Sequence, residues 1–158
     1  MKAIAALVIA LLVAGGAQAQ KREAVTVSVV PPDGGVRPGS SARATALILV
    51  AKGWHINSAS PADSELVATL VSLTPPPGLA VEGVRFPPAV RRVLAFSSEP
   101  LDVYEGTVPV ALEISAAPGM APGEYVIPVV VSYQACNNDL CLPPAAVRVA
   151  MPVRVLSP

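Results

Sequence analysis

Cysteine is scarce in this chain and histidine scarcer: its 158 residues include only Cys136, Cys141 and a single histidine, His55. With no second cysteine pair, a four-ligand structural zinc site has no donors to build from. An excess of either charge is also missing. The 11 Lys/Arg and 11 Asp/Glu are scattered without a run of one sign, which argues against nucleic acid or an anionic membrane surface as a partner. Helical periodicity is nearly absent, and there is neither an internal repeat nor a linker-like stretch. Beyond the N-terminus, no apolar run approaches the roughly 20 residues that cross a bilayer.

The N-terminus itself sets a compartment. Met1-Lys2 is a minimal positive region, Ala3 to Ala14 is uninterruptedly apolar, and Ala17-Gln18-Ala19 supplies a small-x-small cleavage site. Residues 1–19 therefore read as a secretory signal peptide, and 20–158 as one exported domain without a membrane span. Outside the cytosol a disulfide can form and persist.

What is present is strand and turn. Val25, Val27 and Val29 alternate with Thr26 and Ser28 before Pro31-Pro32-Asp33-Gly34-Gly35 breaks the run. Ala44 to Ala51 is apolar on both faces, as in a central strand, and runs on toward Gly53-Trp54-His55-Ile56. Leu66 to Leu73 and Leu79 to Val84 flank Pro75-Pro76-Pro77-Gly78. Val108 to Ile114, Tyr125 to Tyr133 and Val147 to Val155 each alternate at a period of two. Seven or eight short strands punctuated by turns predict an all-β, antiparallel β-sandwich. Pro109 and Pro128 fit edges or bulges within such strands.

The chemistry sits at 133–144, YQACNNDLCLPP. A hairpin turning at Asn137-Asn138-Asp139 would set Cys136 opposite Cys141, near the roughly 4.4–6.8 Å Cα spacing of a disulfide. The phase of the flanking strands conflicts: Tyr125 to Tyr133 would send Cys136 away from the core, whereas Val147 to Val155 would send Cys141 toward it. A bulge at Pro143-Pro144 resolves the conflict and predicts a pair on an outer or end face.

Spacing alone leaves a staple and a reactive pair both open. A ring of so few residues contributes only about 2 kcal/mol by loop entropy, against ~4.7 for a hundred-residue loop, so the site is a poor one for a staple. No Lys, Arg or His lies between Glu124 and Arg148, so nothing in the local sequence lowers a thiol pKa, and only a few per cent would be thiolate at pH 7. His55, some eighty residues away, reads as a packing residue beside Trp54, with a soft-metal site made with both thiols as the alternative.

YQACNNDLCLPP, with GWHI at 53–56 and VYEGTVPV at 103–110, resembles the N-terminal periplasmic domain of the DsbD family of thiol:disulfide interchange proteins, over about residues 24–155. The resemblance implies an immunoglobulin-like sandwich carrying a redox-active pair, Cys136 and Cys141, with Cys141 forming the mixed disulfide with partners. It implies no cofactor and no metal. It also implies a cap loop with an aromatic over the cysteines: in 85–102 Phe96 is the first choice and Phe86 the second. Tyr133, Gln134, Pro143 and Pro144 belong to the motif as shapers of the hairpin.

The implied partners are thioredoxin-like redox proteins and periplasmic disulfide-bearing proteins, with cytochrome c maturation among the processes served. Because the sequence stops at Pro158, the expected electron source is a separately encoded transmembrane conduit or thioredoxin-like protein. The competing readings are an interaction module stiffened by its disulfide and a copper carrier.

Overall fold

A computed structural model describes residues 23–94, 97 and 99–158; residues 1–19, read above as a signal peptide, and Phe96 lie outside the described residues. Eleven strands are present among them: β1 (Val25–Val30), β2 (Ser41–Val50), β3 (His55–Asn57), β4 (Leu70–Leu73), β5 (Leu79–Arg85), β6 (Val90–Arg92), β7 (Leu101–Tyr104), β8 (Thr107–Ala116), β9 (Gly123–Tyr133), β10 (Ala135–Cys136) and β11 (Ala145–Val155). All strand pairings are antiparallel. They form an immunoglobulin-like sandwich of two large sheets, β1-β2-β8-β5 and β11-β9-β4, with a smaller sheet β10-β3-β7-β6 beside them. Among the described residues no helix is long and apolar enough to cross a membrane.

Side-chain alternation builds the core. Ala44, Ala46, Ile48 and Val50 of β2 and Val108, Val110, Leu112 and Ile114 of β8 are buried from one sheet. Ile127, Val129 and Val131 of β9 and Met151, Val153 and Val155 of β11 meet them from the other. The period-two reading of β8, β9 and β11 thus has the correct inward face. The outer face of β2 differs from expectation: Leu47 is half-buried and Leu49 exposed, so the strand is central in its sheet but covered on one side only.

The strand prolines sit where one neighbour has ended. Pro109 pairs with Leu47 of β2, while the ladder with β5 stops at Ala111. Pro128 pairs with Ala150 of β11, and the β4 ladder stops at Val129. At both positions the central strand is locally an edge, so the missing N–H breaks no ladder.

Two departures from the sequence reading position the site. The segment after β2 does not continue it: the Trp54 amide donates to the Ala51 carbonyl (3.0 Å), Gly53 takes φ +84°, and β3 emerges in the small sheet. The 85–102 connection is not one long loop either. Its exposed middle forms β6, which pairs Val90 with Val103 and Arg92 with Leu101. Arg91 reaches Asp102 across this ladder (3.4 Å). Three exposed residues have no buried face to alternate with, so β6 leaves little trace in the sequence.

Candidate functional site

The two cysteines form a disulfide across a miniature hairpin. Cys136 and Cys141 face each other in an isolated antiparallel bridge, with Cα atoms 4.0 Å apart, slightly closer than the usual range. The Asn137 amide donates to the Leu140 carbonyl (2.9 Å) and the Leu142 amide to the Ala135 carbonyl (2.8 Å). The Asn137 side-chain oxygen accepts from the amides of Asp139 and Leu140, each at 2.9 Å. An asparagine is suited to this because its short side chain mimics a backbone turn.

The phase slip lies where the prolines predict it. Tyr133 pairs with Ala145 in the β9–β11 ladder, and the Cys136–Cys141 bridge is three residues on along one arm and four back along the other. Pro143-Pro144 stand against Gln134 alone, a two-against-one bulge. The Gln134 side-chain nitrogen donates to the Leu142 carbonyl (3.1 Å) and ties the two arms together.

Burial separates the two sulfur-bearing residues. Cys141 is exposed, whereas Cys136 is only 3% exposed. Cys136 does point away from the core cluster, which its neighbour Ala135 joins and it does not, yet it is buried all the same. Strand β10 leaves the β9–β11 ladder at Gln134 and pairs with β3, matching Cys136 to His55 and Ala135 to Ile56. The small sheet carries the buried cysteine, and the turn presents the other to solvent.

Clefts lie on both flanks of this hairpin. The larger, about 600 Å³, lies between the β2–β3 turn, the end of β6 and the tip of the cysteine turn; Trp54, His55, Arg92, Leu94, Glu105 and Asn138 are among its walls. The other, about 260 Å³, is bounded by Tyr133, Ala135, Leu142 and Pro143. Among the described residues, exposed apolar side chains stand around the site: Leu140 and Leu142 on either side of Cys141, and Val93, 77% exposed, on the larger cleft.

This chain belongs to the DsbD N-terminal domain family. Residues 20–152 match the family described as thiol:disulfide interchange protein DsbD, N-terminal. No curated protein matches it. Among solved structures, the complex between the DsbD N-terminal and PilB N-terminal domains of Neisseria meningitidis aligns at 18% identity over 82% of this chain and 84% of that one, with a TM-score of 0.53. The reduced DsbD N-terminal domain of the same organism aligns at 18% identity over 70% and 77%, with a TM-score of 0.47. The N-terminal periplasmic domain of ScsB from Proteus mirabilis aligns at 15% over 82% and 44%, with a TM-score of 0.48.

Within this DsbD-type frame the other motif residues fall into place. Tyr133 is buried at the end of β9, and burial pushes its phenol above the ordinary tyrosine range, so it stays protonated. Pro143 and Pro144 are exposed in the bulge. Phe86 stacks on Tyr104 with ring centroids 5.6 Å apart and packs against the core. Tyr104 pairs with Ile56, so Phe86 sits against the second strand over from the cysteine strand.

What sequence reasoning missed is His55. Eighty residues of separation suggested a bystander, yet the register sets it opposite Cys136. GWHI as part of the family resemblance was the one signal that could have placed it. Among the described residues no group of three or more His, Cys, Asp or Glu is arranged to hold a metal ion.

Proposed function

We propose that this chain is a periplasmic thiol–disulfide exchange carrier, exported by the signal at 1–19 and acting through Cys136 and Cys141. The observation that carries the reading is the unequal burial of one short-range disulfide: an exposed Cys141 for a partner to meet, and a shielded Cys136 to resolve the mixed disulfide. Family membership supports the same chemistry. A purely structural bridge would gain little here, because the arms are already joined by backbone hydrogen bonds and the ring is short.

The partners fitting this site are thioredoxin-like proteins on one side and disulfide-bearing periplasmic proteins on the other. The DsbD N-terminal domain of Neisseria meningitidis forms a complex with the PilB N-terminal domain, which supports a protein as an exchanging partner. Leu140, Leu142 and Val93 supply an apolar rim for such docking, since an exposed cluster of large apolar side chains marks an interaction surface. Cytochrome c maturation is one process such a carrier would serve.

Trapping tests the assignment. With Cys136→Ser activated at Cys141 as the thionitrobenzoate mixed disulfide, Cys141 should expel thionitrobenzoate and hold a thioredoxin whose own resolving cysteine is replaced by serine as a stable mixed disulfide, visible as a shifted band on a non-reducing gel. Cys141→Ser should trap several-fold less. Equal trapping by both variants contradicts Cys141 as the partner-facing sulfur, and trapping by neither contradicts exchange.

A further inference from the structure

Cys136 on β10, His55 on β3 and Glu105, the residue that follows β7, fall in one row. The β10–β3 register pairs Cys136 with His55. The β3–β7 register pairs Ile56 with Tyr104 and Asn57 with Val103, and one further step sets Glu105 beside His55. Directly opposed residues share a face of a sheet, with Cβ atoms roughly 4.5–5.5 Å apart, while Ile56 and Tyr104 alternate to the other face. His55 and Glu105 both line the larger cleft. Arg92 clamps the Glu105 carboxylate with two nitrogens, at 2.8 and 3.0 Å.

From this row we propose that His55 is the general base and acid for the Cys136 thiol, with Glu105 as its positioning residue. The inference rests on the exchange reading above. The need for such a group is chemical: only a thiolate attacks a disulfide, and Cys136 is buried, which raises a thiol pKa.

In the reduced protein the Cys141 thiolate attacks a partner disulfide; one partner sulfur leaves as thiolate and Cys141 is joined to the other. The neutral His55 imidazole then takes the Cys136 proton. The Cys136 sulfur attacks Cys141 Sγ, the bond from Cys141 to the partner breaks, and the partner's second sulfur leaves as thiolate. The imidazolium returns its proton to that sulfur or to water. The partner disulfide gains two electrons, and Cys136 and Cys141 lose two. Run backwards, the imidazolium protonates Cys136 as it leaves.

The electrostatics fit a base. Burial holds His55 below its ordinary value, so the imidazole is neutral near pH 7, and the Glu105 charge partly opposes that shift. The charged and titratable groups around it are Cys136 from β10, Glu105 after β7, Arg92 from β6 and Lys52 from the β2–β3 turn; Asn138 of the cysteine turn contributes no charge.

The test follows glutathione disulfide reacting with the reduced protein, quenched in acid and read by intact mass. Attachment of glutathione at Cys141 and its expulsion by Cys136 are then separate rates. His55→Gln should slow expulsion about 10- to 100-fold, near the lower bound for general acid–base catalysis, leave attachment unchanged, and accumulate the glutathionylated protein. Glu105→Gln should slow expulsion less and move the midpoint of its pH profile downward. The unmutated protein guards against a misfolded variant: its expulsion rate should level off above a midpoint below pH 6.5. A rate that instead climbs to a thiol midpoint near 8.5, or a folded His55→Gln with unchanged expulsion, overturns the role of His55 alone. Failure of the unmutated pair to accept glutathione overturns the exchange reading as well.

Discussion

Cys136 and Cys141 share one bridge, yet the fold treats them differently, because a single residue, Gln134, separates the main ladder from β10. The pair and its turn were legible in the sequence, since Asn137-Asn138-Asp139 and Pro143-Pro144 carry local conformational preferences. The burial of Cys136 was not, because it depends on β3, which no local pattern connects to it. Phe86 makes the same point. The family resemblance made it the second choice, after Phe96, for an aromatic over the cysteines; its ring lies on Tyr104 against the core. Phe86→Ala should cost about 3 kcal/mol in denaturant unfolding, the low end for a phenylalanine truncation because the ring is only half-buried. The reduced thiols should react with iodoacetamide at an unchanged rate; a marked acceleration without loss of stability would instead assign Phe86 to the cap.

At the scale of elements, the long strands were readable because each buries one face at a period of two, as Val108 to Ile114 shows. The short ones were not: His55–Asn57 is buried throughout and Val90–Arg92 is exposed throughout, so neither alternates. The turn at 31–35 was visible as punctuation, but the reason for its glycine was not. Gly35 has φ +89°, and a Cβ there would run into the Arg154 carbonyl oxygen of β11. Beside it Val36 bridges Val155, and its amide donates to Arg154 (2.8 Å), tying the β1–β2 connection to the opposite sheet. Gly35→Ala should therefore lower stability by about 1–3 kcal/mol, from an unfavourable φ alone, measured by urea unfolding. Gly34→Ala, with a similar φ but open space around its Cβ, should cost less. Equal losses would show that the close approach to β11 does not matter.

For the whole molecule, burial of His55 and the Arg92–Glu105 pair make stability depend on acid. The folded protein holds His55 below its ordinary value of 6.5. In the window beneath 6.5 the unfolded chain thus binds more protons, and stability falls with pH. Glu105, held below the usual carboxylate range by its bond to Arg92, adds a loss at lower pH; the pair is largely exposed, so its share is small. Unfolding midpoints should drop between pH 7 and pH 5, and His55→Gln should flatten that slope. Beyond stability, what the sandwich provides is a rigid support for one hairpin whose disulfide is shielded at Cys136 and open at Cys141. The most direct test of that role is the equilibrium of the pair with glutathione buffers, followed by alkylation of free thiols. Exchange predicts a reduction potential above about −300 mV, within the range of other disulfide carriers. A bridge that stays oxidised in strongly reducing buffer would contradict it and leave the disulfide as a structural tie.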